Sequence, residues 1–364
     1  MTTGLSLDAN ATEPLRPEAR AAVLAALDLP GNPSSVHAEG RAARRLLEDA
    51  RGAIAARFGG RAQDVVFTAG GTEANALALH GLSAGRRVLV GATEHPAVLR
   101  AAPGATLLPV RADGTIDLAA LDAALAAAGP ALVCLMAANN ETGVLHPIAD
   151  AAGLCGRYGA LLHVDAVQAA GRAPLPAGAD SLALSAHKLG GPKGAGALLL
   201  RPGLDPTPLI AGGGQERGRR GGTEPLPAIA GFAAAARAAT DQAAARLAPI
   251  RDAIEAAIAA LAPEARFPGQ GAPRLPNTSA ILLPGVPAET QVIALDLAGV
   301  RVSAGAACSS GKVGASHVLA AMGLGGDAAC TIRMSLPWNA PEDSVERFVA
   351  AWAAMREQVT RRAA

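Results

Sequence analysis

Lysine is nearly absent from this chain: of 32 positively charged side chains in 364 residues, only Lys188, Lys193 and Lys312 are lysines. The rest are arginines. A GC-rich coding bias accounts for the depletion, since the chain is also rich in alanine, but it does not account for the survivors. A guanidinium stays protonated and cannot condense with an aldehyde, whereas a lysine amine can lose its proton and form a Schiff base. A lysine kept where almost every interchangeable one has become arginine is a candidate for chemistry that needs a primary amine. All three lie in glycine-rich stretches, so the question is which of them reacts.

Other scarcities narrow the class of protein. There are four cysteines, Cys134, Cys155, Cys308 and Cys330. They are widely spaced with no Cys-x-x-Cys pair, so neither a zinc site nor a disulfide framework is indicated. A reducing, cytoplasmic location is the default expectation. The net charge is +1 and there is no basic block, which gives nucleic-acid binding no support. The first residues, MTTGLSLDANATEP, lack a charged segment followed by an apolar one, so no secretory signal is expected. The longest nearly uncharged run, 123–140, is split by Gly129-Pro130 and reads as a helix end, a turn and a buried strand, not a membrane span. No internal repeat is present. Half of the residues are apolar and 17% are charged, a globular balance with ample material for a core, and the length suits two domains.

What is present alternates. Short apolar runs at 64–68, 87–91, 131–137, 160–165, 181–185 and 196–200 read as buried strands, with helical patterns at 35–58, 72–82, 117–128 and 148–158 between several of them. This predicts an α/β layer with a mostly parallel sheet, helices on both faces and sites at the strand C-termini. An alanine-rich helical stretch follows at about 228–261, with Pro249 as its expected kink or break. Isolated strands at 278–283, 300–303 and 331–336, and a last helix from about Glu342, predict a smaller α+β domain.

Four segments carry chemistry. In FTAGGTEAN, 67–75, a strand ends, two glycines turn the backbone and a threonine opens a helix, whose free N–H groups suit a phosphate. Alone, such a segment is more often an ordinary turn with a helix cap. In LLHVDAVQ, 161–168, Asp165 stands at the C-terminal end of an apolar strand, where a buried carboxylate needs a cationic partner such as a pyridinium N–H; taken alone, a helix cap fits equally well. In SLALSAHKLGGPKGAG, 181–196, Lys188 follows a strand by three residues, with Ser185 and His187 beside it as hydrogen-bond donors. A Schiff-base lysine with a partner aspartate is the pattern of a pyridoxal phosphate enzyme. In SAGAACSSGKVGAS, 303–316, Cys308 sits in a run of small residues that cannot form a packed core; such a mobile loop suits a thiolate that approaches a bound substrate. Taken alone, Cys308 also fits an incidental surface cysteine. The other three cysteines lie in apolar contexts and read as small buried hydrophobes.

Together these residues resemble the cysteine desulfurases of the NifS/IscS type, class V aminotransferase-fold enzymes, over essentially the whole chain. The matching motifs are LDANATEP at 7–14, GNPSS at 31–35, the glycine–threonine loop, TEH at 93–95, NNETG at 139–143, HVD at 163–165, SAHK at 185–188, GGGQERGRRGGT at 212–223 and the Cys308 segment. The spacing from Cys308 to Ser316 is that of the long-loop group, not of the short-loop group that works with dedicated activator proteins. The resemblance implies fold type I of the pyridoxal phosphate transferases. It implies a mostly parallel seven-stranded sheet in a large domain at 13–243, and a small domain of 1–12 and 244–364 that carries the cysteine loop.

The resemblance also implies roles. Lys188 would hold the cofactor and shuttle protons, and Asp165 would pair with the pyridine nitrogen. His95 would stack on the ring and serve in acid–base steps, with Gln168 and Asn140 at the ring oxygen and the substrate carboxylate. Gly71, Thr72, Ser185 and His187 would hold the phosphate, joined by Thr223 from a partner subunit. Arg333 would bind the substrate carboxylate through a bidentate fork. Cys308 would take sulfur from L-cysteine as a persulfide, leaving alanine, and pass it to an acceptor or an iron–sulfur scaffold protein. The implied enzyme is a homodimer. Two positions depart from the family pattern: Ala69 stands where serine is common and Pro337 where glycine is typical, and neither removes a reacting group. The chain also ends, at Ala364, without the longer tail that housekeeping members carry for scaffold docking. Rival readings are a selenocysteine lyase, another class V aminotransferase, or a non-catalytic sulfur-carrier subunit. The co-occurrence of Lys188, Asp165 and Cys308 weighs against the last. No role in catalysis is assigned to Lys193, and Lys312 is a candidate for favouring the thiolate or meeting an acceptor.

Overall fold

The structure is a computed structural model that describes residues 4–175, 177–305 and 316–363. Its strands are β1 (Leu5–Ser6), β2 (Val65–Thr68), β3 (Arg87–Gly91), β4 (Thr106–Leu108), β5 (Ala131–Met136), β6 (Leu161–Asp165), β7 (Ser181–Ser185), β8 (Gly196–Leu200), β9 (Thr278–Leu282), β10 (Val300–Arg301), β11 (Ser303–Ala304) and β12 (Thr331–Ser335). Its α-helices are α1 (Pro17–Leu27), α2 (Ala38–Phe58), α3 (Gly71–Leu82), α4 (Pro96–Leu99), α5 (Leu118–Ala128), α6 (Ile148–Arg157), α7 (Leu226–Ala238), α8 (Asp241–Ala245), α9 (Leu247–Leu261), α10 (Ala288–Leu297), α11 (His317–Ala321) and α12 (Ser344–Ala363).

Seven strands form one sheet in the order β2-β8-β7-β6-β5-β3-β4. All neighbours pair in parallel except β8, which is antiparallel to both β7 and β2. The strands β5 to β8 are buried on both faces, which is why they read as continuous apolar runs and not as alternating ones. One core layer joins α1, α2, α5, α6 and α7 to the sheet through Leu47, Ile54, Phe67, Leu121, Val133 and Phe232; the other packs α3 on the opposite face through Leu77, Val90 and Leu198. Parallel register sets Met136 and Asp165, the last residues of β5 and β6, side by side at the C-terminal edge of the sheet, with Ala183 of β7 next to Asp165. That edge is where an open α/β sheet binds ligands.

A second core gathers Leu5, Leu7, Ile254, Ile281, Ile332, Phe348 and Trp352 between α9, α10, α12 and the antiparallel sheet β11-β12-β9. The N-terminal strand β1 belongs to it by pairing in parallel with β10. The single strand expected at 300–303 is two short ones: β10 pairs with β1, β11 pairs with β12, and Val302 lies between them.

The expected break at Pro249 is present: α8 ends at Ala245 and α9 opens at Leu247, with Arg246 between them. Pro249 is the third residue of α9, in the first turn, where a helix has no intrahelical acceptor for the missing N–H. A second interruption, not expected from the sequence, falls at Ala239 and Thr240. Both are extended (ψ 98° and 148°), and Thr240 caps α8 by accepting the Ala243 N–H at 3.2 Å. The Ala239 carbonyl accepts two N–H groups of Arg57, at 2.9 and 3.1 Å, so a tertiary contact replaces the helical one. Sequence periodicity cannot show such a contact. Among the described residues, no helix is long and apolar enough to cross a membrane.

Candidate active site

A cavity of about 630 Å³ opens at the C-terminal edge of the large sheet. Asp165 enters it from the end of β6 and is 6% exposed. Its Oδ2 accepts Asn75 Nδ2 at 2.7 Å and its Oδ1 accepts the Val167 N–H at 2.9 Å. Burial pushes this carboxylate up, while those two bonds and the charges of His95 and Lys188 pull it down.

Lys188 lies in the 3-10 turn that follows β7, and its Nζ donates to the carbonyls of Asn10 at 2.6 Å and Ala11 at 3.0 Å. Ser185 ends β7, and His187 places Nδ1 3.1 Å from Thr12 Oγ1. Burial, followed by the positive charges of Lys188 and Lys193, lowers His187 to about 4. Opposite them α3 begins at Gly71. A Cβ at that position would stand 2.6 Å from Val167 Cγ2, so only glycine lets the helix N-terminus approach the strand end. Ser185, His187, Gly71 and Thr72 thus surround the same end of the cavity.

His95 caps the short α4, its Nδ1 accepting the Ala97 N–H at 3.1 Å, and burial lowers its pKa. Gln168 is oriented at both ends of its amide: Nε2 donates to the Asn10 carbonyl at 3.0 Å and Oε1 accepts Arg172 at 2.5 Å. Asn140 also lines the cavity, and its carbonyl accepts Asn10 Nδ2 at 3.1 Å and Arg333 at 3.2 Å. Arg333, on β12, holds Asp8 Oδ1 at 2.6 Å and reaches the cavity wall through Asn140. Nine of the residues singled out from the sequence therefore meet in one place: Gly71, Thr72, His95, Asn140, Asp165, Gln168, Ser185, His187 and Lys188.

Others do not join them. Thr223 is exposed and is absent from the cavity wall. Its glycine-rich segment is tied down elsewhere by Glu216, a buried carboxylate that holds Arg51 at 2.6 and 2.8 Å and accepts the Phe67 N–H at 2.8 Å. Lys193, although exposed, does line the same cavity, beyond the nine. Cys308 and Lys312 lie outside the described residues. Cys134 and Cys155 are buried; burial raises both thiols, that of Cys155 to about 12. Two asparagines received no role from the sequence. Asn10 joins Lys188, Gln168, Asn140, Arg172 and Asn277 across the two cores, and Asn75 holds Asp165. Both fall inside quoted motifs, and that placement was the only signal available.

The cavity's chemistry fits pyridoxal phosphate. A buried acceptor faces a primary amine, and an anion cradle forms where a Cβ at Gly71 would intrude. The fold is that of the type I pyridoxal phosphate transferases. The chain belongs to the class-V aminotransferase family, whose model matches residues 5–348. It is 44% identical over 363 residues to a cysteine desulfurase of Cereibacter sphaeroides, covering 94% of this chain and 93% of that protein. Among solved structures, a NifS-like protein from Rickettsia africae superposes with a TM-score of 0.89 at 33% identity, covering 97% of this chain and 99% of that one. A structure of SspA in complex with cysteine gives a TM-score of 0.80 at 28% identity, over 92% and 99% of the two chains.

One buried acid near the site makes a pH prediction. Glu141, 4% exposed, accepts Ser316 Oγ at 2.5 Å, and burial raises it from an ordinary 4.5 to about 7 against the pull of Ser316 and Arg333. Between these values the folded chain keeps a proton that the unfolded chain releases. The stability contributed is complete below 4.5 and is lost as pH rises through 7. Glu141→Gln removes that slope. Melting curves should show the variant gaining on the parent by up to about 3 kcal/mol across that window. Parallel pH profiles for the two proteins would contradict the assignment.

Proposed function

We propose that the chain is a pyridoxal phosphate-dependent cysteine desulfurase that converts L-cysteine to L-alanine and delivers the sulfur as a Cys308 persulfide. The observation that carries the reading is the convergence of the Asp165 carboxylate, the Lys188 amine and the α3 N-terminus on one cavity, in a chain whose relatives bear that activity. When bound, pyridoxal phosphate supplies the electron sink that lets the substrate Cα proton leave.

The residues divide the work. Lys188 would hold the cofactor and move the proton at the substrate Cα; its bonds to the carbonyls of Asn10 and Ala11 place the amine. Asp165 would hold the proton of the ring nitrogen, and His95 would lie against the ring. Gln168 and Asn140, which line the cavity, would meet the ring oxygen and the substrate. The first turn of α3, with Thr72, Ser185 and His187, takes the phosphate, and Thr223 of a second copy completes that cradle in a homodimer. Arg333 presents its guanidinium to the substrate carboxylate, held in place by Asp8. As the substrate Cβ–Sγ bond breaks, an S–S bond to Cys308 forms, and the electron pair left on Cβ takes a proton to give alanine.

The two cores support a division into a large domain of 13–243 and a small one of 1–12 with 244–364. The acceptor is a sulfur-carrier or iron–sulfur scaffold protein in the cytoplasm. Purified protein is expected to be yellow and to release alanine and sulfide in equal amounts from L-cysteine with a thiol reductant, and borohydride should fix the cofactor on Lys188. Transfer of the amino group to a keto acid without sulfide, turnover of selenocysteine alone, or an adduct on Lys193 would overturn the reading.

A further inference from the structure

Behind Asp165 runs a chain of polar groups that the reaction as described does not use. Strand period places His163 and Asp165, two apart on β6, on the same face of the sheet. Asn75 of α3 bridges them. Its Nδ2 is 2.7 Å from Asp165 Oδ2 and its Oδ1 is 2.9 Å from His163 Nε2. His163 Nδ1 in turn lies 2.8 Å from Ser181 Oγ on β7. The interior members are sealed: His163 is 0% exposed, and Asn75 and Ser181 are each 1% exposed.

The donor and acceptor inventory allows one direction only. An ionised carboxylate accepts and cannot donate, so Asn75 turns its NH2 to Asp165 and its oxygen to His163. The imidazole must then donate through Nε2. Burial lowers His163 to about 4, so its ring is neutral at pH 7 and Nδ1 is left to accept from the Ser181 hydroxyl. Every donor in the chain points towards Asp165.

We propose that Asn75 and His163 are positioning residues for Asp165: a one-way chain, Ser181 to His163 to Asn75 to Asp165, locks the imidazole as its Nε2–H form and aims the carboxylate into the cavity. The inference deepens the proposed function and rests on it.

A second buried carboxylate shows what the chain accomplishes. Glu94 is 1% exposed and feels the charge of Asp165. Among the described residues its carboxylate accepts the Met136 N–H alone, at 2.5 Å, and its Oε2 has no partner. Burial, and then the charge on Asp165, push Glu94 well above the carboxylate range. Two like charges this deep do not coexist, and the group with the better donors keeps its charge. Asp165 has two donors, one of them backed by the polarised imidazole. Glu94 is left as the neutral acid. The group facing the cavity thereby stays anionic and can hold a protonated ring nitrogen.

Side-chain nitrogen NMR of the 15N-labelled holoenzyme tests the core of the proposal without any substitution. His163 is expected as the Nε2–H tautomer, unchanged between pH 6 and 8. An Nδ1–H tautomer or an imidazolium would overturn it. A second arm measures cofactor affinity and the pH midpoint of the cofactor's visible band. Asn75→Leu and His163→Leu keep bulk but lose the donors, and each is expected to weaken cofactor binding roughly 10- to 100-fold and to shift the midpoint. His163→Gln keeps one donor and one acceptor and should recover binding to within a few fold. If Gln and Leu behave alike, His163 only fills space and the proposal fails. An unsubstituted protein that takes up no pyridoxal phosphate would defeat the proposed function instead, and the tautomer measured on that protein would still decide the direction of the chain.

Discussion

Replacing Lys188 by alanine is expected to lower L-cysteine turnover by about 10⁴-fold or more, since the amine carries the proton at the substrate Cα as well as the covalent link to the cofactor. Lys188→Arg should be as inactive, although it preserves charge and can still donate to the carbonyls of Asn10 and Ala11 that Nζ holds now. A guanidinium does not condense with an aldehyde. The arginine variant is thus the sharper test, because this chain tolerates arginine at almost every other cationic position. Lys193→Arg is the matched control: that side chain is exposed at the cavity mouth and should be replaceable with little loss. Sulfide release, the visible spectrum and melting temperature, measured together, separate lost chemistry from lost fold. Turnover by Lys188→Arg within tenfold of the parent would remove Lys188 from the mechanism.

The lysine count led to the right segment because chemistry restricted what could replace those residues; much of the fold was readable for a comparable reason. Strands β7 and β8 lie where their apolar runs begin and end, since a strand buried on both faces leaves little choice of residue. The direction of β8 was not read. Only residues 186–195 link β7 to β8, too short for a helical crossover, so β8 returns antiparallel and the link holds Lys188 at the sheet edge. That spacing was visible, and so the sense of the strand could have been predicted. Asn10 could not have been. Its carbonyl meets a lysine 178 positions away, and a single asparagine leaves no periodic trace in sequence. The same holds for the break at Thr240: Arg57 meets the Ala239 carbonyl from 182 positions away, and that contact outweighs helix propensity.

The second large effect is expected at Cys308. Cys308→Ala should lower formation of alanine and sulfide by about 10³-fold or more, because no nucleophile remains to take the sulfur. The Cα chemistry should survive, since Lys188, Asp165 and the cavity are untouched. Deuterium exchange at the Cα of L-cysteine, followed by NMR, should therefore continue at a rate near that of the parent while sulfide stops. The other thiols are poor substitutes. Cys134 and Cys155 are buried with raised pKa values, which leaves almost no thiolate at neutral pH. Cys330 is half-buried and precedes β12, so Cys330→Ala serves as the control that should keep its activity. The dissociation of exchange from sulfide release also separates a desulfurase from an aminotransferase on this fold, which would need no cysteine for either step. Sulfide release by Cys308→Ala at the parental rate would move the sulfur-accepting role elsewhere in the chain, with Cys330 the first thiol to examine.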